Sequence, residues 1–232
     1  EIPGDEKKAL THYAYHIKAG KEIFAAEGAF GQYLICFRDF PVAIGITAGA
    51  REYLAADICL KYMKEAISEP CNEEQLEAAE KALCAKLNSL SLVQPEGTFR
   101  TARKEAAKLF DRKILFTENP RKVESVVFTK EGYRIKIEAV INGEQKTLYA
   151  SYKAWKRNNL YPDDFTKKYQ SVAYAMDAEA LYLSVGLINT SYKEEYSLWV
   201  NSEDKVIATW RPNVTYLPEE PDMVWKFTGT FE

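Results

Sequence analysis

The spacing of apolar residues changes half-way along the chain, from a helical period of about 3.6 residues to a period of two. Leu10, Ile17 and Phe24 follow the helical period. They predict a first helix over residues 5–26. In the second half, apolar and polar residues alternate, which is typical of half-buried strands. The pattern therefore predicts a helical first half and a β-sheet in the second half.

Three further helices are predicted before residue 117. The run that begins at Pro41 carries no charge for many residues, which indicates a buried central helix that ends at Pro70. Asn72 and Gln75 have the spacing of a capping box, so a third helix begins at Asn72. The leucines that follow it at helical spacing are predicted to be buried. A fourth, basic helix is predicted over residues 98–113.

Two turn signals predict a three-stranded antiparallel meander. Glu131-Gly132 and Asn142-Gly143 both suit the central positions of a tight hairpin. A hairpin closed at the first signal pairs Phe128 with Ile135, and one closed at the second pairs Ile137 with Leu148. Both registers place the same apolar residues on one face of the sheet. These residues are Val126, Phe128, Ile135, Ile137, Leu148 and Ala150.

The alternation returns in three later segments, at residues 181–185, 196–200 and 206–210. Pro162, Asp163 and Asp164 resemble a helix start and predict a helical insertion near residues 162–174. The predicted fold class is α+β, with an N-terminal four-helix region followed by a mainly antiparallel β-sheet of six or more strands with one helical insertion. We expect a division into residues 1–117 and 118–232, whose apolar faces can share one core.

Charge adds one candidate surface to this picture. The net charge of −3 argues against a protein built to wrap nucleic acid, but the segment 100–136 carries eleven basic and five acidic residues. Six basic residues form a candidate patch: Arg103, Lys104, Lys108, Arg112, Arg134 and Lys136. With Tyr149 nearby, such a patch is typical of a surface that binds single-stranded nucleic acid. The more ordinary interpretation is a solvated, ion-paired face.

Histidine chemistry is restricted to His12 and His16, the two histidines of the chain. On a helix, their four-residue spacing places both rings on one face, where they could hold a divalent metal. Tyr13 stands where a zinc protease needs glutamate, so that motif is absent. The sequence also has no GxSxG elbow and no CxxC pair. The alternative interpretation is two ordinary surface histidines.

The cysteines and the amino terminus leave the compartment open. Cys36, Cys59, Cys71 and Cys84 are enough for two disulfides, but their spacing requires none. The amino terminus lacks the basic and apolar parts of a signal peptide, and no apolar run is long enough to span a bilayer. We expect a soluble protein, either cytoplasmic or a processed secreted or periplasmic chain.

By elimination, the sequence predicts a non-enzymatic binding module of the inhibitor, immunity or effector type. Its expected partner is another protein or a small ligand, and no cofactor is predicted. The first alternative is a metal-dependent or hydrolytic enzyme that uses His12 and His16. The second is a binder of single-stranded nucleic acid that uses the basic segment 100–136.

Overall fold

The computed structural model of the protein describes Leu10 and residues 12–50, 55–68, 71–100, 104–161, 163–164, 168–214 and 224–232. The contacts between residues divide the chain into two units, Glu1–Leu92 and Val93–Glu232. The sequence predicted a division further along, near residue 117. In the described parts, no helix has the length and apolar character needed to cross a membrane.

The first unit contains a five-stranded antiparallel sheet in chain order. Its strands are β1 (His12–Ala14), β2 (Ile17–Ala19), β3 (Ile23–Gly28), β4 (Gln32–Phe37) and β5 (Ala43–Ile46). The helix α1 (Ala55–Ser68) belongs to the same core, because Leu60 and Met63 pack against the buried Ile23 and Ile35 cluster. The core of the unit is thus formed by one sheet and the apolar side of α1.

The predicted helix over residues 5–26 is wrong over residues 12–26, where β1, β2 and part of β3 lie; residues 5–9 and Thr11 lie outside the described residues. Gly20 interrupts this stretch, and Ile23 and Ala25 are buried alternately with the exposed Phe24, which is the period of a strand. The start of the predicted helix at Pro41 is also wrong. There, Ile44 and Ile46 belong to β5, where β-branched side chains are favoured. The later part of that segment is helical, as predicted, and forms α1.

The helix α2 (Glu73–Ser89) begins as the sequence predicts. The Gln75 N–H donates to Asn72 Oδ1 at 2.9 Å, and the Asn72 N–H donates to Gln75 Oε1 at 3.0 Å. These reciprocal bonds are the predicted capping box. The predicted burial of the α2 leucines is wrong, because each is more than half exposed: Leu76, Leu83, Leu87 and Leu90.

The second unit is a ten-stranded sheet that closes on itself. Its strands are β6 (Lys113–Phe116), β7 (Val123–Glu131), β8 (Arg134–Ile141), β9 (Glu144–Tyr152), β10 (Lys156–Asn159), β11 (Tyr169–Met176), β12 (Ala180–Leu187), β13 (Lys193–Val200), β14 (Val206–Pro212) and β15 (Trp225–Phe231). Parallel pairing of β9 with β11 closes nine strands into a barrel. The short β10 pairs with the first half of β11.

The meander β7–β8–β9 confirms the predicted apolar face, since all six of its residues belong to the barrel core. The predicted register of the second hairpin is confirmed, with Ile137 opposite Leu148. The first register is wrong by two residues, because Phe128 pairs with Ile137. Gly132 has a φ of 61° and occupies the first central position of the turn, where a type II′ turn prefers glycine. A shift of two residues keeps the same face inward.

The helix α3 (Lys104–Ala107) lies at one end of the barrel, which we call the α3 end. The predicted helix over residues 98–113 is therefore much too long, since β6 starts at Lys113. Ala106 and Leu109 are fully buried, and the Asp111 N–H donates to the carbonyl of Phe128 at 2.8 Å. Burying these few side chains fixes a short helix that would be marginal by itself.

The segment Gly97–Phe99 also lies at the α3 end. Thr98 exchanges two backbone hydrogen bonds with Met176, both of 2.8 Å. The Tyr152 hydroxyl donates to the carbonyl of Gly97 at 2.9 Å. The Phe99 ring lies 5.4 Å from the Tyr152 ring, measured between centroids. These contacts attach the segment along the end of β11.

The predicted helical insertion near residues 162–174 is wrong where the structure describes it, because β11 occupies its second part. Val172 and Tyr174 are buried on the inward face at a period of two. Pro162 and residues 165–167 lie outside the described residues. The four-helix region followed by an open sheet is therefore corrected to a small sheet with helices and a closed barrel.

Candidate functional site

The barrel encloses a cavity of about 120 Å³. Its wall is mostly apolar and belongs to the barrel core, with side chains from β7, β8, β9, β11 and β12: Val126, Phe128, Ile137, Leu148, Val172 and Leu183. An engineered cavity of about 150 Å³ with such a wall binds benzene. The barrel cavity is therefore comparable in size with a cavity that takes a small ring compound.

Three polar side chains meet at the cavity end opposite α3. The Arg121 Nη2 lies 3.1 Å from Glu194 Oε1, and the Arg121 Nε donates to the Tyr196 hydroxyl oxygen at 3.3 Å. The Tyr196 hydroxyl donates in turn to Glu194 Oε2 at 2.8 Å. All three side chains line the cavity. We call Arg121, Glu194 and Tyr196 the polar triad.

Burial and mutual pairing determine the charges of the polar triad. Burial alone would lower the pKa of Arg121, but the interactions with Tyr196 and Glu194 outweigh it and raise the pKa. Burial, and then the Glu194 carboxylate, raise the pKa of Tyr196 well above its ordinary value. Arg121 is therefore a cation and Tyr196 a neutral hydrogen-bond donor near neutral pH.

The chain places each member of the polar triad by a local rule. Glu194 and Tyr196 are two residues apart on β13, so they share the inward face of the strand. Arg121 lies on the loop between β6 and β7, which the buried Asn119 holds. The Asn119 amide donates to the carbonyls of Thr117 and Val123 at 2.9 and 2.8 Å.

Two tryptophans lie beside the polar triad. The Arg121 guanidinium is 5.4 Å from the ring centroid of Trp210, within the range of a cation–π contact. Trp210 stacks on Trp225 with centroids 4.4 Å apart. The apolar rings shield the guanidinium from water on this side, and their fluorescence can report on the site.

Tyr174 is a buried tyrosine of the barrel, located nearer the α3 end. Its hydroxyl is buried and has no hydrogen-bond partner among the described residues. Burial, and then the neighbouring Tyr152, raise the pKa of Tyr174 to about 12. Its folded pKa thus lies above the value of about 10 expected in the unfolded chain.

We expect Tyr174→Phe to keep or raise stability at neutral pH and to reduce the loss of stability at alkaline pH. A group with a raised folded pKa contributes stability that is complete below about pH 10 and is lost as the pH rises toward about 12. Between these two pH values, each such tyrosine lowers the free energy of unfolding by about 1.4 kcal/mol per pH unit. Urea unfolding at several alkaline pH values measures the slope, and an unchanged slope in the variant would contradict the assignment.

Comparison with known proteins assigns no family. No protein-family model and no curated protein matches the sequence. The solved structures that resemble part of the chain include a REP1-NXSQ fatty acid transporter, which is 13% identical with a TM-score of 0.40 and covers 55% of this chain and 98% of its own. A fatty-acid-binding protein of Manduca sexta is 10% identical with a TM-score of 0.39, over 53% and 98% of the two chains. Apo lipid binding protein 8 of Caenorhabditis elegans is 6% identical with a TM-score of 0.41, over 54% and 96%.

These likenesses are too distant to support a function. The site is therefore defined by the cavity, the polar triad and the topology of this chain alone.

His12 and His16 do not lie on a helix. His12 is in β1, and His16 lies with Tyr15 in the turn that joins β1 to β2. The Tyr13 hydroxyl is 3.1 Å from His16 Nδ1. Within the described parts of the chain, no group of three or more His, Cys, Asp or Glu residues could hold a metal ion. The helical chelate geometry is thus wrong, while metal binding by the two histidines stays a prediction.

The basic residues of the predicted patch have separate partners. Lys108 pairs with Asp204 at 3.2 Å, and Lys136 pairs with Glu138 at 2.8 Å. The Arg112 guanidinium lies 3.6 Å from the ring centroid of Phe231. Arg134 is exposed at the start of β8. Arg103 and the side chain of Lys104 lie outside the described residues, and binding of nucleic acid stays a prediction.

The four cysteines are free thiols. Cys71 and Cys84 are exposed, and Cys36 and Cys59 are partly buried. Burial raises the pKa of Cys59, so its thiol is held in the protonated form more strongly than usual.

The polar triad was missed because Arg121 is far from Glu194 and Tyr196 in the sequence. One signal for it was present, since Glu194 is in phase with Tyr196, Leu198 and Val200 on the predicted strand. A charged residue at an inward position of an alternating strand needs a buried partner. Nothing in the sequence around Arg121 marks it as that partner.

Proposed function

We propose that the barrel unit binds a small, mainly apolar molecule in its cavity. The observation that carries this proposal is a cavity of about 120 Å³ inside the barrel, with an apolar wall and one polar end. Ligand sites commonly combine a large apolar surface with a few converging polar groups that fix the orientation of the ligand. The apolar part of the ligand would contact β7, β8 and β9, and its polar group would face the polar triad.

Size limits the ligand. The cavity is smaller than the several hundred Å³ typical of sites for drug-sized molecules. A cavity of this size therefore takes a compact molecule rather than a long chain. Because apolar surface contributes roughly in proportion to its area, we expect weak affinity, with a Kd at or above the micromolar range.

A titration with toluene, followed by two-dimensional amide NMR, tests this proposal. We expect shifts at residues that line the cavity and a saturable binding curve. Ala139→Leu adds bulk to the cavity wall and should abolish binding, whereas Leu148→Ala enlarges the space and should strengthen it. The two residues lie on neighbouring strands. Opposite effects of the two substitutions on toluene affinity would therefore show that toluene binds in the cavity.

Ala154→Leu is the matched control, because Ala154 is exposed and does not line the cavity. It should bind toluene as the unmodified protein does. Circular dichroism establishes that each variant is folded. If toluene causes no saturable shifts, or if both cavity variants bind it unchanged, the proposal fails.

A further inference from the structure

We propose that the cavity selects uncharged ligands that carry a hydrogen-bonding head group, and that it rejects carboxylates and amines. This inference rests on the proposed function and specifies its ligand class. It derives from the charge pairing within the polar triad rather than from the size of the cavity.

Two formal charges face the cavity among the described residues that line it, one on Arg121 and one on Glu194. They are paired directly, with 3.1 Å between Nη2 and Oε1. The sum of the charges that a ligand meets is therefore zero. An ionic ligand would lose its hydration on entry without gaining an unmatched counter-charge.

An anion gains no unmatched charge at Arg121, whether it shares the guanidinium with Glu194 or displaces that carboxylate. The Glu194 residue is 7% exposed, so a displaced carboxylate would stay buried without a cation. It would also lie close to the entering anion, and two like charges in a poorly solvated site repel strongly. The same reasoning applies to an amine, which would either share the Glu194 carboxylate with Arg121 or displace the guanidinium.

A neutral polar group avoids both costs. The guanidinium can donate more hydrogen bonds than its two contacts use, and the carboxylate can accept more than its two. An amide or a hydroxyl can thus accept from Arg121 and donate to Glu194 while the ion pair stays intact. Tyr196 supports this arrangement because its hydroxyl bridges the other two residues.

Pentanamide, pentanoate and pentylamine test the inference, because they have similar size and differ in charge near pH 7. Their Kd values can be compared by NMR titration of the unmodified protein. We expect pentanamide to bind at least about tenfold more tightly than either ion, which corresponds to about 1.4 kcal/mol. Equal affinity for pentanoate and pentanamide would overturn the inference.

Glu194→Gln should reverse this selectivity. The variant leaves the Arg121 charge unmatched, so we expect pentanoate to gain at least about tenfold in affinity. Arg121→Gln leaves the Glu194 charge unmatched instead, so this variant should gain affinity for pentylamine. It provides the test of selectivity if Glu194→Gln does not fold. Glu195→Gln is the matched control: it removes the same charge from the next residue, which pairs on the outer face with Lys193 and Arg211. This control should keep the original selectivity.

The outcomes separate the two proposals. If toluene does not bind, the proposed function fails, and the inference that rests on it fails too. If toluene binds in the cavity but charge does not affect the ranking, or if neither charge-removing variant gains affinity for an ion, the proposed function stands and the inference on selectivity fails.

Discussion

Arg121→Met is expected to lower the free energy of unfolding of the barrel by about 3 kcal/mol. The substitution leaves the Glu194 carboxylate, which is 7% exposed, without its cation. An unpaired buried charge usually costs several kcal/mol, and the partial exposure of the Arg121 side chain, 32%, places the expected value at the lower end. Urea unfolding can be followed by tryptophan fluorescence. All four tryptophans lie in the barrel unit, so the signal reports on that unit alone.

Two further variants show whether the loss comes from the unpaired charge. Arg121→Met combined with Glu194→Leu removes both charges and should recover most of the stability, because apolar replacements of a buried ion pair are often neutral or better. Glu195→Gln breaks ion pairs on the outer face and should cost less than about 1 kcal/mol. A double variant as unstable as Arg121→Met would contradict the ion-pair explanation and would favour lost packing against Trp210.

Local signals in the sequence predict local structure well in this protein. The capping box at Asn72 marks the start of α2, and Asn142-Gly143 sets the register of β8 with β9. In both cases a few adjacent residues determine the geometry through short-range hydrogen bonds and backbone preference. The inward face of the meander was also predictable. Side chains alternate between the two faces of a strand, so an error of two residues in the register leaves the same residues inward.

The sheet of the first unit was not predictable in this way. Its first hairpin turns at Tyr15 and His16, both with positive φ values of 50° and 62°, and neither residue type signals such a turn. Short strands give too few positions to separate a strand from a helix by periodicity. Closure of the barrel depends on the pairing of β9 with β11, which involves residues such as Ser151 and Ala173 that are distant in sequence. No local pattern specifies that contact.

Gly97→Ala is expected to lower the free energy of unfolding of the barrel by about 3 kcal/mol or more. Gly97 has a φ of 141°, which side-chain-bearing residues rarely adopt, and this strain alone costs about 1–3 kcal/mol. A Cβ atom would also lie 2.4 Å from the carbonyl oxygen of Met176, so the segment would have to move away from β11. That movement would break the paired hydrogen bonds between Thr98 and Met176. Tryptophan fluorescence during urea unfolding measures the change.

Gly132→Ala is the control that separates backbone strain from the clash. Gly132 also has a positive φ, 61°, but an added Cβ would meet no atom within 4 Å. This variant should lose only the strain contribution, about 1 kcal/mol. Hydrogen exchange gives a second criterion, since the Thr98 and Met176 amides should exchange faster in Gly97→Ala and remain protected in Gly132→Ala. Equal losses in the two variants would mean that the close approach of Gly97 to Met176 does not hold this segment on the barrel.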